Sequence, residues 1–86
     1  MPRFYLDLRE GERLVSDEEG LEFDGLDAAE YETAKTAAQI WWDRLLKGNP
    51  RDITVEVRNE HGQQVLKATI SMRVCRVDPS LDPPRT

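Results

Sequence analysis

Apolar and polar positions divide the chain into two short alternating segments, one long helical segment, and two more alternating segments. Residues 3–9 place Phe4, Leu6 and Leu8 on one side and Arg3, Tyr5, Asp7 and Arg9 on the other. A period of two is the pattern of a half-buried strand. Glu10-Gly11-Glu12 predicts a turn and residues 13–16 a brief second strand, together a hairpin. Residues 17–25 (DEEGLEFDG) predict an acidic loop in which Leu21 and Phe23 pin against the core. Residues 52–59 alternate again, with Ile53, Val55 and Val57 inward and Thr54, Glu56 and Arg58 outward. Asn59-Glu60-His61-Gly62 is a turn signal. Residues 63–77 predict the longest strand: Leu66, Ala68, Ile70, Met72 and Val74 on its apolar face, Val65, Lys67, Thr69, Ser71, Arg73, Cys75 and Val77 on the other.

Between the strand pairs, residues 27–47 predict a helix free of Gly and Pro and rich in Ala, Leu, Glu and Lys. Asp27 is the predicted N-cap, Glu30 completes a capping box, and Leu26 with Tyr31 forms a hydrophobic staple. Gly48 stands where a helix ends in a left-handed residue, and Pro50 follows. Arg44 and Lys47 in the last turn suit the negative end of the helix dipole. Ala34, Ala37, Ala38, Trp41 and Leu45 form the predicted buried stripe, with Glu32, Lys35, Thr36, Gln39 and Asp43 opposite. Trp42 and Leu46 lie beside the stripe and Ile40 on its other flank, so the apolar surface exceeds a minimal core face.

The predicted fold class is α+β: a two-layer β-β-α-β-β arrangement with one helix packed on one face of a four-stranded, mainly antiparallel sheet. A single domain is expected over residues 1–77, with a Pro-rich flexible tail over 78–86. Composition narrows the function. A net charge of −5 opposes a general nucleic-acid binder, which needs a concentrated basic face. The single cysteine, Cys75, allows no internal disulfide and fits a reducing compartment. Charges within the first nine residues argue against a secretory leader, and no run is apolar enough to span a bilayer. A cytoplasmic location without membrane attachment is the expectation.

The opening Met1 to Tyr5, Gly11, the Asp17 to Gly20 run followed by Leu21-Glu22, Ala28-Ala29, residues 52–57 and the Asn59 to Gly62 turn are the motifs of a resemblance. With them the chain resembles a family of small uncharacterised bacterial proteins, common in alphaproteobacteria, that open Met-Pro-Arg-aromatic-aromatic. It departs from them in Trp41-Trp42 and in its Pro-rich end. The family is a domain of unknown function, so the resemblance implies a small bacterial α+β protein and carries over no catalytic residue.

Chemistry is sparse. Eight carboxylates fall in the sixteen residues 17–32. Their spacing does not fit an EF-hand loop; a looser cation site would use Asp17, Glu19 and Asp24, against the plainer reading of a solvated loop. The lone histidine, His61, sits in a predicted turn, at the far end of the last predicted strand from Cys75, about 40 Å away at 3.3 Å per residue. No nucleophile–base pair, zinc set, GxGxxG or P-loop is present. No enzyme activity and no cofactor are expected.

Two surfaces remain as candidates for binding. The first is the helix flank of Trp42, Leu46 and Ile40; the second is the open sheet face with Tyr5, Arg58 and Arg73. The expectation is a non-enzymatic protein-interaction module, homodimeric or bound to another protein. The alternative is a small regulatory protein, antitoxin-like or nucleic-acid-associated, that uses the open face as a stacking platform.

Overall fold

The computed structural model describes residues 1–78. Strands β1 (Arg3–Glu10), β2 (Arg13–Val15) and β3 (Leu21–Glu22) precede helix α1 (Leu26–Leu46), and β4 (Ile53–Arg58) and β5 (Gln64–Ile70) follow it. The sheet is antiparallel with the order β2-β1-β4-β5, and β3 also pairs β1. This is the expected α+β architecture with a fifth, two-residue strand where the sequence predicts a loop. The tail assigned to 78–86 lies, beyond its first residue, outside the described residues.

Register places side chains as the alternation predicts. Leu6 opposes Val57 and Leu8 opposes Val55 on the inner face, and Val55 and Val57 oppose Ala68 and Leu66. Ile53, Val55, Val57, Phe4, Ala29, Ala37 and Trp41 form the buried core beneath α1. The helix lies over β4 and β5, displaced from the centre of the sheet toward the β5 edge.

One edge of β1 is shared. Its C-terminal half pairs β2 (Leu8↔Val15) and its N-terminal end pairs β3 (Phe4↔Leu21). The gap between them falls at Leu6, whose N–H donates to Asp17 Oδ2 at 3.1 Å. A carboxylate thus stands in for a missing strand carbonyl.

Several expectations are corrected. The helix starts one residue early: Gly25 is the N-cap in extended backbone, and no side chain caps it. Phe23 N–H donates to Pro2 O at 3.1 Å, which holds the entering chain against β1 and brings Leu26 into the first turn. Asp27 is then a first-turn acid, and Leu26 and Tyr31 are exposed rather than stapled. The C-terminus matches: Gly48 adopts φ +75°, its N–H bonds Leu45 O, and Asn49 N–H bonds Arg44 O, a Schellman ending.

The buried stripe is rotated. It consists of Ala29, Thr33, Ala37 and Trp41, while Ala34 and Ala38 are exposed. Thr33, absent from the predicted stripe, can enter the core because its hydroxyl donates to Ala29 O at 2.6 Å, which satisfies its polar atom. Finally, β5 stops at Ile70, not at residue 77. Ile70 opposes Ile53, the first residue of β4, so beyond it the strand has no neighbouring strand among the described residues.

Candidate functional site

The outer sheet face is a closed ionic cluster. Tyr5 opposes Arg58 across the β1–β4 ladder, and Asp7 opposes Glu56. The Arg58 guanidinium stacks on the Tyr5 ring at 4.9 Å from its centroid. It donates to both Asp7 oxygens, at 2.7 and 3.1 Å, and to Asp17 O at 3.0 Å. Asp7 also accepts Asp17 N–H at 2.9 Å and is only 6% exposed. Arg9 pairs Glu56 at 3.1 Å. Arg58, the arginine of the expected platform that lies on the ladder, is therefore committed to a carboxylate of the same face. An open depression of about 440 Å³ lies at this end of the sheet, lined among others by Tyr5, Ser16, Glu18, Arg58 and Glu60.

The acidic loop is tied inward. Asp17 Oδ1 accepts Glu19 N–H and Gly20 N–H at 3.1 and 3.0 Å, while Oδ2 serves Leu6. Both carboxylate oxygens are occupied by backbone donors, so Asp17 is not turned toward a cation. Among the described residues no group of three or more His, Cys, Asp or Glu is placed to hold a metal ion, so the loose set Asp17, Glu19 and Asp24 is not assembled.

A second buried ion pair joins the layers. Arg44 donates to Glu10 at 2.9 and 2.7 Å, and to Asp43 at 3.0 Å. Sequence reasoning assigned Arg44 only to the helix dipole. The signal that could have located it was Glu10, which continues the inward parity of Phe4, Leu6 and Leu8 and needs a cation there.

These contacts set an acid limit. The Arg44 hydrogen bonds hold the Glu10 carboxyl below its ordinary 4.5, ahead of the opposing effect of burial. Burial pushes Asp7 up, but Arg58 and the Asp17 N–H outweigh it and leave it below 3.8. Burial likewise opposes the Gly20, Leu6 and Glu19 N–H bonds at Asp17, which still ends below 3.8. Near pH 4 the unfolded chain therefore binds more protons than the folded one, so stability falls as pH falls. Thermal midpoints should be flat from neutrality to about pH 5 and drop steadily below it. A midpoint unchanged down to pH 3 would contradict these pairings.

The helix presents the other surface. Ala34, Ala38, Trp42 and Leu46 follow one i, i+4 row, with Tyr31 beside it. Trp42 is 56% exposed, Leu46 67% and Tyr31 69%. Arg44 reaches Glu10 on β1, so this row, on the opposite flank of the helix, lies on the β5 side. Ile40 is not part of it: it is half-buried and packed on the core. Arg73 lies past the end of β5, exposed and apart from Tyr5 and Arg58 on the ladder. Sequence reasoning found Trp42 and Leu46 but placed Ala34 and Ala38 in the core and Tyr31 at its border; the i, i+4 row through them was the available signal. No described helix is long and apolar enough to cross a membrane.

A family model described as a domain of unknown function, DUF6894, matches residues 3–71. No curated protein and no solved structure matches the chain.

Proposed function

The chain belongs to the DUF6894 family, and on that premise we propose that it is a non-enzymatic protein-interaction module working through the outer flank of α1. The observation that carries the reading is that α1 has a second apolar row, ending in Trp42 and Leu46, that nothing among the described residues covers. Trp42 and Leu46, one turn apart, leave roughly 250 Å² of largely apolar surface in water, taking about 200 Å² for each large side chain. Contiguous apolar surface rimmed by polar residues tends to mark binding surfaces. The paired state of Arg9 and Arg58 weighs against the nucleic-acid alternative. The opening motif and lone cysteine favour a bacterial cytoplasmic setting.

The test uses two exposed positions. Trp42→Glu with Leu46→Lys should leave the thermal midpoint within a few degrees, because neither side chain is in the core. The same double variant should lose self-association and capture of any partner that the native chain holds. Binding at native strength would remove the helix flank as the docking surface.

A further inference from the structure

The free edge of β5 and the exposed flank of α1 on the side away from β1 border the position where a further strand would add, a slot for one strand. Strand β5 is the last in the order β2-β1-β4-β5, so its outward N–H and C=O groups have no strand beside them among the described residues. The helix packs on β4 and β5, and its exposed row of Ala34, Ala38, Trp42 and Leu46 lies on the flank opposite the Arg44 contact with β1.

The same chain carries a strand without a place. The alternation of β5 runs on past Ile70, through Met72 and Val74, but β4 ends at their level. Residues 71–77 are exposed, with Val74 82% in water. They hold Arg73 and Arg76 and no acid, on a chain with net charge −5.

We propose that residues 71–77 of a second copy fill this slot, reciprocally, so that two chains form one continuous antiparallel sheet about a two-fold axis at Ser71. This rests on the reading of the α1 flank as a docking surface and names its occupant. The register follows from side-chain parity. Inner-face positions are even-numbered in both β5 and the arm, so an antiparallel pairing must match even with even. Centred on Ser71, Met72 opposes Ile70 of the second copy, Val74 opposes Ala68, and Val77 opposes Val65. A shift by one step, centred on Ile70, would set Arg73 against Lys67, like charges face to face. In the Ser71 register Arg73 meets Thr69 instead.

The charges agree along the slot. Arg76 falls opposite Leu66, on the helix-bearing face. That is the end of the sheet where α1 begins, because Phe23 is bonded to Pro2 beside the start of β1. Asp27 and Glu30 stand in the first turns there, next to exposed Tyr31. At the other end Met72 lies beneath Trp42 and Leu46. One segment thus matches the slot in backbone, apolar size and charge.

Light scattering across a concentration series tests it. The native chain should weigh twice its 9.9 kDa, and Arg73→Pro should halve that mass: Leu66, Ala68 and Ile70 spend their backbone groups on β4, so the odd-numbered residues face the free edge and proline at 73 cannot donate to the new ladder. Residue 73 is outside every described strand and helix, so the variant should keep the native far-ultraviolet spectrum. Ser71→Cys in a Cys75→Ser background should form an intermolecular disulfide under oxidised glutathione, because residues opposite one another on the axis have Cα atoms about 4.5–5.5 Å apart. A dimer that survives Arg73→Pro, or in which the thiols at 71 do not join, overturns strand exchange. If that dimer still dissociates on Trp42→Glu, the helix-flank reading stands without it. A native chain of single mass at all concentrations removes the second copy as the occupant, and native-strength partner binding by the Trp42 and Leu46 double variant removes the flank itself.

Discussion

Replacing Asp17 by alanine is expected to lower the thermal midpoint by roughly 10–20 °C, at 4–8 °C per kcal/mol for a domain of this size. The residue looks like one more acid in a solvated loop. In the structure its carboxylate ends three backbone donors, those of Leu6, Glu19 and Gly20. Hydrogen bonds to a charged acceptor contribute about 1.5–3 kcal/mol each when the donor has no substitute. Glu19 is exposed and water can replace its acceptor, whereas Leu6 is half-buried in the gap between β2 and β3. The net loss should therefore be about 2–3 kcal/mol, set mainly by Leu6 and the Gly20 turn. Asp17→Asn keeps one oxygen acceptor and should recover part of it. Hydrogen exchange gives the sharper reading: the Leu6 amide should lose protection in Asp17→Ala while the Val55 and Val57 amides keep theirs. A midpoint within two or three degrees of native would mean that the loop, not its carboxylate, holds this edge of β1.

What the sequence discloses depends on whether a residue's environment is local. The four longer elements follow from periodicity, since the alternation of residues 3–9 and 52–59 and the run of helix formers each report on their own segment. The Gly48 ending is legible for the same reason: a left-handed residue and its two bonds lie within six positions. The burial of Thr33 is not legible because it depends on a bond to Ala29 that polarity scales do not count. Strand β3 is missed because two residues carry no period, and its existence rests on Arg3 and Phe4 some eighteen positions earlier. The end of β5 is misplaced because the alternation is real but the partner is not there: only β4's starting point at Ile53 stops the ladder. Of the candidate surfaces, the Tyr5–Arg58 pair was recoverable from parity alone, but not that the Asp7 carboxylate would neutralise the guanidinium and the Asp17 carbonyl would anchor it. That loss of a free cation is what moves the functional reading from the sheet face to the helix.

Gly20→Ala should be the most damaging of the glycine substitutions, and comparison with Gly62→Ala separates the two reasons. Both glycines have left-handed backbone, φ +72° and +78°. That conformation costs an L-residue about 1–2 kcal/mol wherever it occurs. At Gly62 nothing lies within 4 Å of an added Cβ, so this strain is the whole effect. At Gly20 the Cβ would come within 2.9 Å of Phe4 O and of Tyr5 Cε1, and 3.0 Å of Arg3 Cγ. The Phe4 carbonyl belongs to the strand that pairs β3 and cannot retreat without disturbing that pairing. Overpacking of this kind adds about 1–3 kcal/mol. The total at Gly20 should thus be roughly 2–5 kcal/mol, against about 1–2 at Gly62. Tyr5 is the one neighbour able to yield, and it would yield by tilting off the Arg58 guanidinium. A faster-exchanging Arg58 side-chain Nε–H by NMR in Gly20→Ala, with Gly62→Ala unchanged, would show that the acidic loop, the aromatic ring and the buried ion pair are one packed unit. Equal losses at the two glycines would mean that the backbone of β1 tolerates the extra methyl and that Asp17 alone joins the loop to the sheet.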